Sequence, residues 1–191
     1  MRVVHPKVLK PERFKHYVDH FNALDEELYV QHIPNSHAWE FLSGNIPWFE
    51  CPDEDLERTY YFRWWTYRKH IKQTTDGIVV SEFLPNVPWA GKHKTINLSA
   101  AMHIYEGRWL RTPLYLDDYA RFWFRKGGAL RSYTAWLGDA IWARACVTGD
   151  FRLGVDLLGD LVANFHAWQR GWPIRFEESQ YQVGQRDTGL F

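Results

Sequence analysis

The chain has 191 residues, with 23 Lys plus Arg against 23 Asp plus Glu, so its formal net charge is zero. This balance excludes a sequence-wide basic field that would attract nucleic acid or an anionic membrane surface from a distance. The length predicts one domain with a sizeable core. Aromatic residues make up 17% of the sequence, and so many rings are expected either to pack together or to stack on a ligand.

Periodic apolar residues and capping signals predict three helices in the first part of the chain. The first follows Pro11 in the segment ERFKHYVDHFNAL, and a short one covers HAWEFL after Asn35. The third starts at Pro52 and Asp53, because acidic residues favour the positive end of a helix dipole, and it runs to about Thr74.

A turn at Thr75-Asp76-Gly77 follows, and the β-branched segment 78–84 is predicted to be extended. After a proline-containing loop, the sequence predicts helical hairpins from about Thr95. Their segments are residues 95–110, 113–127, 132–149 and 150–168, and each is ended by Gly or Pro. The expected fold is therefore all-α, built of helical hairpins with one short extended segment near residues 78–84.

The second half of the third helix, YYFRWWTYRKHIK (residues 60–72), places many rings beside cations. In a helix, Trp64 lies on one apolar stripe, while Trp65 and Arg68 lie on an adjacent one. Burial of the helix on two sides explains this pattern. A sugar-binding groove is the alternative, because the C–H face of a sugar packs on an indole while its hydroxyls need charged partners.

The segment EFLPNVPWAGKHKTIN (residues 82–97) forms an irregular, proline-bounded connection. Such loops often carry binding residues, although an ordinary ordered loop is the alternative. The residues predicted to contact a sugar, in this loop and elsewhere, are Trp64, Trp65, Arg68, Trp89, His93, Asn97, His103 and Trp136.

Three carboxylates are candidates for acid/base chemistry. Glu82 lies in the loop, while Glu106 and Asp139 interrupt aromatic, small-residue helices that are predicted to be largely buried. A carboxyl group in aromatic surroundings loses hydration and keeps its proton more easily. Asp139 or Glu82 is therefore the predicted general acid, with Glu106 third. A salt bridge on a helix face is the alternative for the two helical residues.

Neither a cofactor nor a metal is predicted. Cys51 and Cys146 lie outside the spacings of zinc and redox sites. The segment HYVDH (residues 16–20) has Asp19 where an inverted zinc motif needs Glu, and GKHKT lacks the earlier glycine of a phosphate loop. No apolar run has the length of a membrane span, and residues 1–10 lack the apolar run of a signal peptide, so the compartment is left open.

Three segments in this order carry a family resemblance: residues 49–77, 82–110 and 132–150. Together with the terminal TGLF, they resemble the opening half of (α/α)6-barrel glycoside hydrolases of the mannosylglycerate hydrolase and processing α-glucosidase type. The resemblance extends from about Pro11 to the C-terminus. It implies a six-hairpin toroid that hydrolyses glycosidic bonds with inversion, using a carboxylic acid and a carboxylate with room for a water between them.

A complete barrel of this kind needs more helices than the sequence predicts. We therefore expect residues 1–191 to form a single partial toroid domain, truncated relative to the full barrel, with the general base beyond Phe191 or on a partner. The expected partners are a carbohydrate and, through uncovered apolar surface, a second copy or another chain that completes the barrel. The alternative function is a non-catalytic helical-repeat module that binds a glycan or a protein through an aromatic groove.

Overall fold

The computed structural model describes residues 8–171. Its helices are α1 (Lys15–Leu24), α2 (Ala38–Asn45), α3 (Glu54–His70), α4 (Asn97–Gly107), α5 (Leu114–Arg125), α6 (Leu137–Thr148), α7 (Arg152–Asp156) and α8 (Leu158–Gly171). Two strands, β1 (Ile71–Thr74) and β2 (Gly77–Val80), pair in one small sheet. The predicted all-α, hairpin-rich fold is confirmed. The chain divides into two compact units between Ile71 and Lys72.

Some boundaries differ from the sequence prediction. α3 ends at His70 rather than near Thr74, because the following residues pair as β1 with β2. The predicted extended segment is thus one half of a hairpin and ends at Val80. Gly77 lies at φ +100°, a backbone region that favours glycine, just after the turn between the strands. The last predicted helix is divided into α7 and α8 at Leu157. No helix within residues 8–171 combines the length and the apolar character needed to cross a membrane.

Capping fixes the start of α3 in the first unit. The Asp53 side chain accepts the backbone N–H groups of Asp55 and Leu56 at 3.0 and 3.1 Å. Acidic residues occupy the first turn of α3 and basic residues its last turn, and both arrangements stabilise the helix dipole. The predicted helix start at this position is confirmed.

Aromatic rings build much of the core of the first unit. Tyr61 stacks on Phe14 and Tyr17, with ring centroids 4.9 and 5.2 Å apart. Trp64 and Trp65 are also buried. α3 therefore buries rings from both of its aromatic stripes, which is what the packing interpretation of this segment predicts.

A partly buried ion pair joins Asp25, just after α1, to Lys69 of α3, with Nζ and Oδ1 2.7 Å apart. The Asn35 amide donates to the same carboxylate at 2.8 Å. Burial raises the pKa of Asp25, but the hydrogen bonds from Lys69 and Asn35 outweigh burial and hold the pKa below its ordinary value. The Lys69 ammonium also lies 4.6 Å from the ring centroid of Trp65, so the ion pair adjoins the aromatic core.

Replacing Asp25 with Asn should lower the free energy of unfolding by about 1.5–3 kcal/mol near neutral pH, because a charged hydrogen-bond acceptor is lost. Since the folded-state pKa of Asp25 is depressed, the wild-type advantage is present above the ordinary pKa of 3.8 and is lost as the pH falls below it. Urea denaturation at several pH values, followed by Trp fluorescence, measures this.

The matched control is Asp19→Asn, which removes an exposed pair with Lys15. It should change the free energy of unfolding by less than about 1 kcal/mol at every pH. A stability difference between wild type and Asp25→Asn that persists unchanged in acid would contradict the prediction.

In the second unit, the hairpin of β1 and β2 packs on α5. Ile78, Val79 and Val80 of β2 are buried. The backbone N–H of Ile78 donates to Asp118 Oδ2 of α5 at 3.0 Å. A strand N–H that would otherwise be unpaired is thus satisfied by a helix side chain, which fixes the hairpin on the helix.

The other side of α5 packs on the C-terminal helices. Ala120 joins Ile141, Leu153 and Leu157 in one buried cluster. At the surface, the Arg125 guanidinium bonds to Asp156 and Asp160, and Arg121 bonds to Asp156. α5 is therefore held on one side by the hairpin and on another by α7 and α8.

Replacing Gly77 with Ala should destabilise the protein by about 1–3 kcal/mol, because φ +100° is unfavourable for any residue with a Cβ. The new Cβ would also lie 2.8 Å from Asp118 Oδ2 and disturb the bond to Ile78. Thermal and urea unfolding measure the change.

Gly159→Ala in α8 is the matched control, since a Cβ there would have no neighbour within 4 Å in the described structure. It should leave stability unchanged or raise it by up to about 1 kcal/mol. Equal changes in stability for the two substitutions would contradict the requirement for glycine at position 77.

Candidate functional site

The loop directly after β2 is held at three successive residues. The Glu82 N–H donates to Lys94 O at 2.9 Å. Lys72 Nζ donates to Phe83 O at 3.1 Å, and Lys94 Nζ donates to Leu84 O at 3.4 Å. Burial and the charge of Lys94 lower the pKa of Lys72. A loop held at each residue gives Glu82 a defined position, as binding and catalytic groups require.

The Glu82 side chain turns one of its oxygens inward. Oε2 is buried and accepts no hydrogen bond from the residues that the structure describes, although 31% of the side chain is exposed. Nε2 of His103, on α4, lies 3.7 Å from that oxygen. This distance is too long for a hydrogen bond but places an imidazole beside the carboxyl group. Unpaired buried oxygens are rare in folded proteins, which distinguishes Glu82 from the other candidate carboxylates.

Tyr119 of α5 is fully buried and contacts His103 from the other side of the imidazole. Its phenol oxygen lies 3.1 Å from His103 Nδ1. Burial raises the pKa of Tyr119 and the charge of Glu82 adds to the rise, so the phenol stays protonated at neutral pH. The Trp123 indole acts against this rise, although its N–H has no hydrogen-bond partner within the described residues. The His103 imidazole therefore lies between the Glu82 carboxyl group and the Tyr119 phenol.

A second cluster fixes the turn that carries Lys94. Asp76 Oδ2 lies 2.6 Å from His93 Nε2 and 2.6 Å from Lys92 Nζ. The hydrogen bonds from Lys92 and His93 hold the pKa of Asp76 below its ordinary value. His93 and Lys94 both have positive φ, at 56° and 60°, which is unfavourable for residues with side chains. The Asp76 contacts therefore stabilise a strained turn whose Lys94 carbonyl receives the Glu82 N–H.

Trp89 supplies an exposed ring close to this loop. The indole is 67% exposed and meets the Phe83 ring edge-on, with centroids 4.7 Å apart. Phe83 is next to Glu82 in the chain. The structure thus brings together three predicted site residues: Glu82, His103 and, through Phe83, Trp89. His93 does not contact these residues directly but belongs to the turn whose Lys94 carbonyl accepts the Glu82 N–H.

Asn97 and the residues near the start of α6 lie in different surroundings. Asn97 is buried and its side chain bonds to backbone groups of Leu130 and Tyr133, so a structural role accounts for it. Trp136 is partly exposed just before α6. Asp139 was expected to be largely buried, and this expectation is wrong: it is exposed in the first turn of α6, where a carboxylate stabilises the helix dipole.

Glu106 is half-buried near the end of α4. No hydrogen bond or ion pair within the described part of the chain joins Asp139 to Glu82. A catalytic role for Asp139 or Glu106 stays a prediction.

Trp64, Trp65 and Arg68 belong to the core of the first unit. The Trp65 indole donates to Asn22 Oδ1 at 2.8 Å, and Arg68 Cζ lies 5.2 Å from the Trp65 ring centroid. Arg68 also bonds to the Ile33 carbonyl, and burial lowers its pKa to about 10. Packing and internal hydrogen bonds account for all three side chains, so a sugar-binding role for them stays a prediction.

Sequence reasoning missed several residues that support Glu82. Tyr119 sits in an amphipathic helix where a buried ring is expected, and nothing in the sequence pairs it with His103. Asp76 belongs to a predicted turn, where turn chemistry alone explains an aspartate. Lys72 belongs to a predicted helix and Lys94 to the predicted loop, and neither position indicates a contact with the backbone of residues 83 and 84.

Within the described residues, no group of three or more His, Cys, Asp or Glu side chains is arranged to hold a metal ion. The arrangement around Glu82 instead offers a carboxyl group, an imidazole and a phenol in series. Such a series can hold, donate or accept a proton at a carboxyl oxygen.

Comparison with known proteins gives two findings for this chain. Residues 92–172 match the profile of the Mannosylglycerate hydrolase MGH1-like glycoside hydrolase domain. A solved structure titled "Sialidase" superposes with a TM-score of 0.86 at 38% sequence identity, over 95% of this chain. The chain spans only 17% of that longer protein. No curated protein shows a significant match.

Residues 92–172 are thus similar to a glycoside hydrolase domain, and most of the chain is similar to part of a much longer protein titled "Sialidase". Both similarities support the predicted resemblance to part of a six-hairpin glycosidase. The profile match includes His93, Asn97 and His103 but begins after Glu82 and Trp89.

Proposed function

We propose that this glycoside hydrolase-like domain binds a carbohydrate beside Glu82 and that Glu82 is the general acid of glycoside hydrolysis. One observation carries the proposal: a carboxyl group on a firmly held loop has a buried oxygen without a hydrogen bond from described residues, 3.7 Å from an imidazole. The exposed Trp89 ring on the same loop provides a surface on which a sugar can stack.

The chemistry requires a carboxyl group that can deliver a proton to a defined point. The proton of Glu82 passes to the glycosidic oxygen, and the bond from that oxygen to the anomeric carbon breaks. A water adds to the anomeric carbon and gives its proton to a second carboxylate, which acts as the base. Because Oε2 of Glu82 faces the protein interior, the other oxygen is the one that donates to substrate.

Glu82 is a better candidate than the other predicted acids. Asp139 is exposed at a helix start, and the dipole of α6 explains a carboxylate at that position. Glu106 lies half-buried on α4 and carries the alternative of a structural contact on the helix face. The second carboxylate that hydrolysis needs also stays a prediction.

A non-catalytic binding module is the second candidate function. The exposed aromatic residues of the second unit favour it, because uncovered rings are typical of interaction surfaces. They include Trp109, Trp136, Trp142, Phe151 and Phe165. In this second proposal, another copy of the chain or a partner that completes a barrel would cover these exposed rings.

Carbohydrate binding is tested with Trp89→Ala. We expect the affinity for bound oligosaccharides to fall by roughly 2- to 10-fold, which corresponds to the ~0.5–1.5 kcal/mol of an aromatic contact. Isothermal titration with a panel of neutral and acidic oligosaccharides measures the change.

Trp142→Ala is the matched control, since that ring is similarly exposed, at 58%, but lies on α6 and pairs with Phe151. It should bind like wild type. Oligosaccharide affinity that is unchanged in Trp89→Ala, or lost only in Trp142→Ala, would rule out the Trp89 surface.

The catalytic role is tested with Glu82→Gln in whichever form of the protein turns over glycosides, the 191-residue chain or a longer polypeptide that contains it. Turnover should fall by about 10²–10⁴-fold, as expected for loss of a general acid. The loss should be much smaller for aryl glycosides with acidic leaving groups, because these depart without protonation.

Asp139→Asn and Glu106→Gln are the matched carboxylate controls and should retain most activity, with folding checked by circular dichroism. If Glu82→Gln keeps wild-type turnover on alkyl glycosides, or if its loss is independent of the leaving group, Glu82 is not the acid.

A further inference from the structure

We propose that His103 is a positioning residue whose ring is held by Tyr119 as the neutral Nε2–H tautomer, so that it donates toward Glu82 Oε2 and leaves the carboxyl proton on Oε1. This inference rests on the proposed role of Glu82 as the acid. It assigns a task to two residues that do not touch the substrate themselves.

The first step concerns the direction of the hydrogen bond between Tyr119 and His103. Nδ1 and the phenol oxygen are 3.1 Å apart, so one of them donates to the other. The Tyr119 side chain is fully buried, so its O–H group needs a hydrogen-bond acceptor within the protein. Among the described residues, His103 Nδ1 lies within hydrogen-bond distance of that oxygen, so the phenol hydrogen points toward Nδ1. His103 Nδ1 is then the acceptor.

The second step follows from the chemistry of imidazole. A neutral histidine that accepts at Nδ1 carries its hydrogen on Nε2. That nitrogen is the one that lies 3.7 Å from Glu82 Oε2. The oxygen is buried and receives no hydrogen bond from the described residues, so a donor and an unsatisfied acceptor face each other. Catalytic hydrogen bonds are often this long before substrate binds and shorten in the complex.

The third step concerns the carboxyl proton. If Oε2 accepts from His103, the proton of the neutral carboxyl group is placed on Oε1. With the opposite tautomer, an unprotonated Nε2 would attract the proton to Oε2, which faces the protein interior and cannot reach a substrate. The tautomer of His103 therefore decides whether the proton of Glu82 is available for transfer to a glycosidic oxygen.

The test is the tautomer of His103, observed by long-range ¹H–¹⁵N NMR correlation on the labelled 191-residue chain above the pH at which the ring is protonated. We expect a protonated Nε2 and an unprotonated Nδ1 in wild type. Tyr119→Phe removes the hydrogen bond to Nδ1 and should give a mixture of tautomers. Tyr115→Phe, on the same helix, is the matched control and should keep the wild-type spectrum. A dominant Nδ1–H tautomer in wild type would falsify the inference.

If Tyr119→Phe fails to fold, the wild-type spectrum alone still decides between the tautomers. Where turnover can be measured, His103→Ala should reduce it by roughly 2- to 10-fold, the size of one hydrogen bond between neutral groups, while His103→Gln, which keeps an N–H donor, should restore part of the loss. Equal activity of His103→Ala and wild type would overturn the positioning role. An Nε2–H tautomer together with an active Glu82→Gln variant would leave the tautomer assignment intact and reject the proposed acid, so the two failures can be told apart.

Discussion

The hydrogen bond from the Ile78 N–H to the Asp118 carboxylate constrains the whole Glu82 site. It holds β2 on α5, and Glu82 lies two residues after the end of β2. The next residue of α5 is Tyr119, which contacts His103. Successive residues of a helix point about 100° apart, so neighbouring side chains can reach two different elements. A single turn of α5 thus fixes both the strand that delivers the carboxyl group and the imidazole that faces it.

Two carboxylates of the second unit have opposite surroundings. Asp76 bonds to Lys92 and His93, which hold its pKa down and keep it ionised. Glu82 Oε2 has no such hydrogen bond among the described residues, and its neighbour His103 is bound to a neutral phenol. Asp76 therefore acts as a fixed anion that stabilises a strained turn, while Glu82 Oε2 has no hydrogen-bond donor within the described residues. Acid/base sites are often built from carboxylates in contrasting environments of this kind.

The sequence was sufficient for the helices whose ends carry local signals. Asp53 caps α3, and Gly149 ends α6 at φ +69°, as the cap and the glycine predict. The hairpin was only half predicted, because Ile71–Thr74 continues a helical pattern and becomes a strand through pairing with β2. Pairing with β2 across the short turn outweighs the local helical preference of these residues.

The site was harder to predict than the fold, since its contacts join residues that are distant in sequence. His103 and Tyr119 are 16 residues apart, and Asp76 and His93 are 17 apart. Glu82, His103 and Trp89 were named from residue type and loop position, but nothing in the sequence shows that Lys94 receives the Glu82 N–H. The burial expected for Asp139 failed because the aromatic and small residues around it in sequence do not reveal which face of α6 is exposed.

The aromatic residues illustrate why composition alone could not locate a binding surface. In the first unit, Tyr61, Trp64 and Trp65 are buried in the core, where rings pack on each other and on buried cations. In the second unit, Trp89 and Trp142 leave most of their indole surface uncovered. The apolar surface of a buried ring is already removed from water, so a ligand can cover little more of it. An exposed indole supported at its edge by another ring has both the free surface and the rigidity that stacking requires. Among the predicted sugar contacts, that argument separates Trp89 from Trp64 and Trp65, and it places the stronger candidate on the same loop as Glu82.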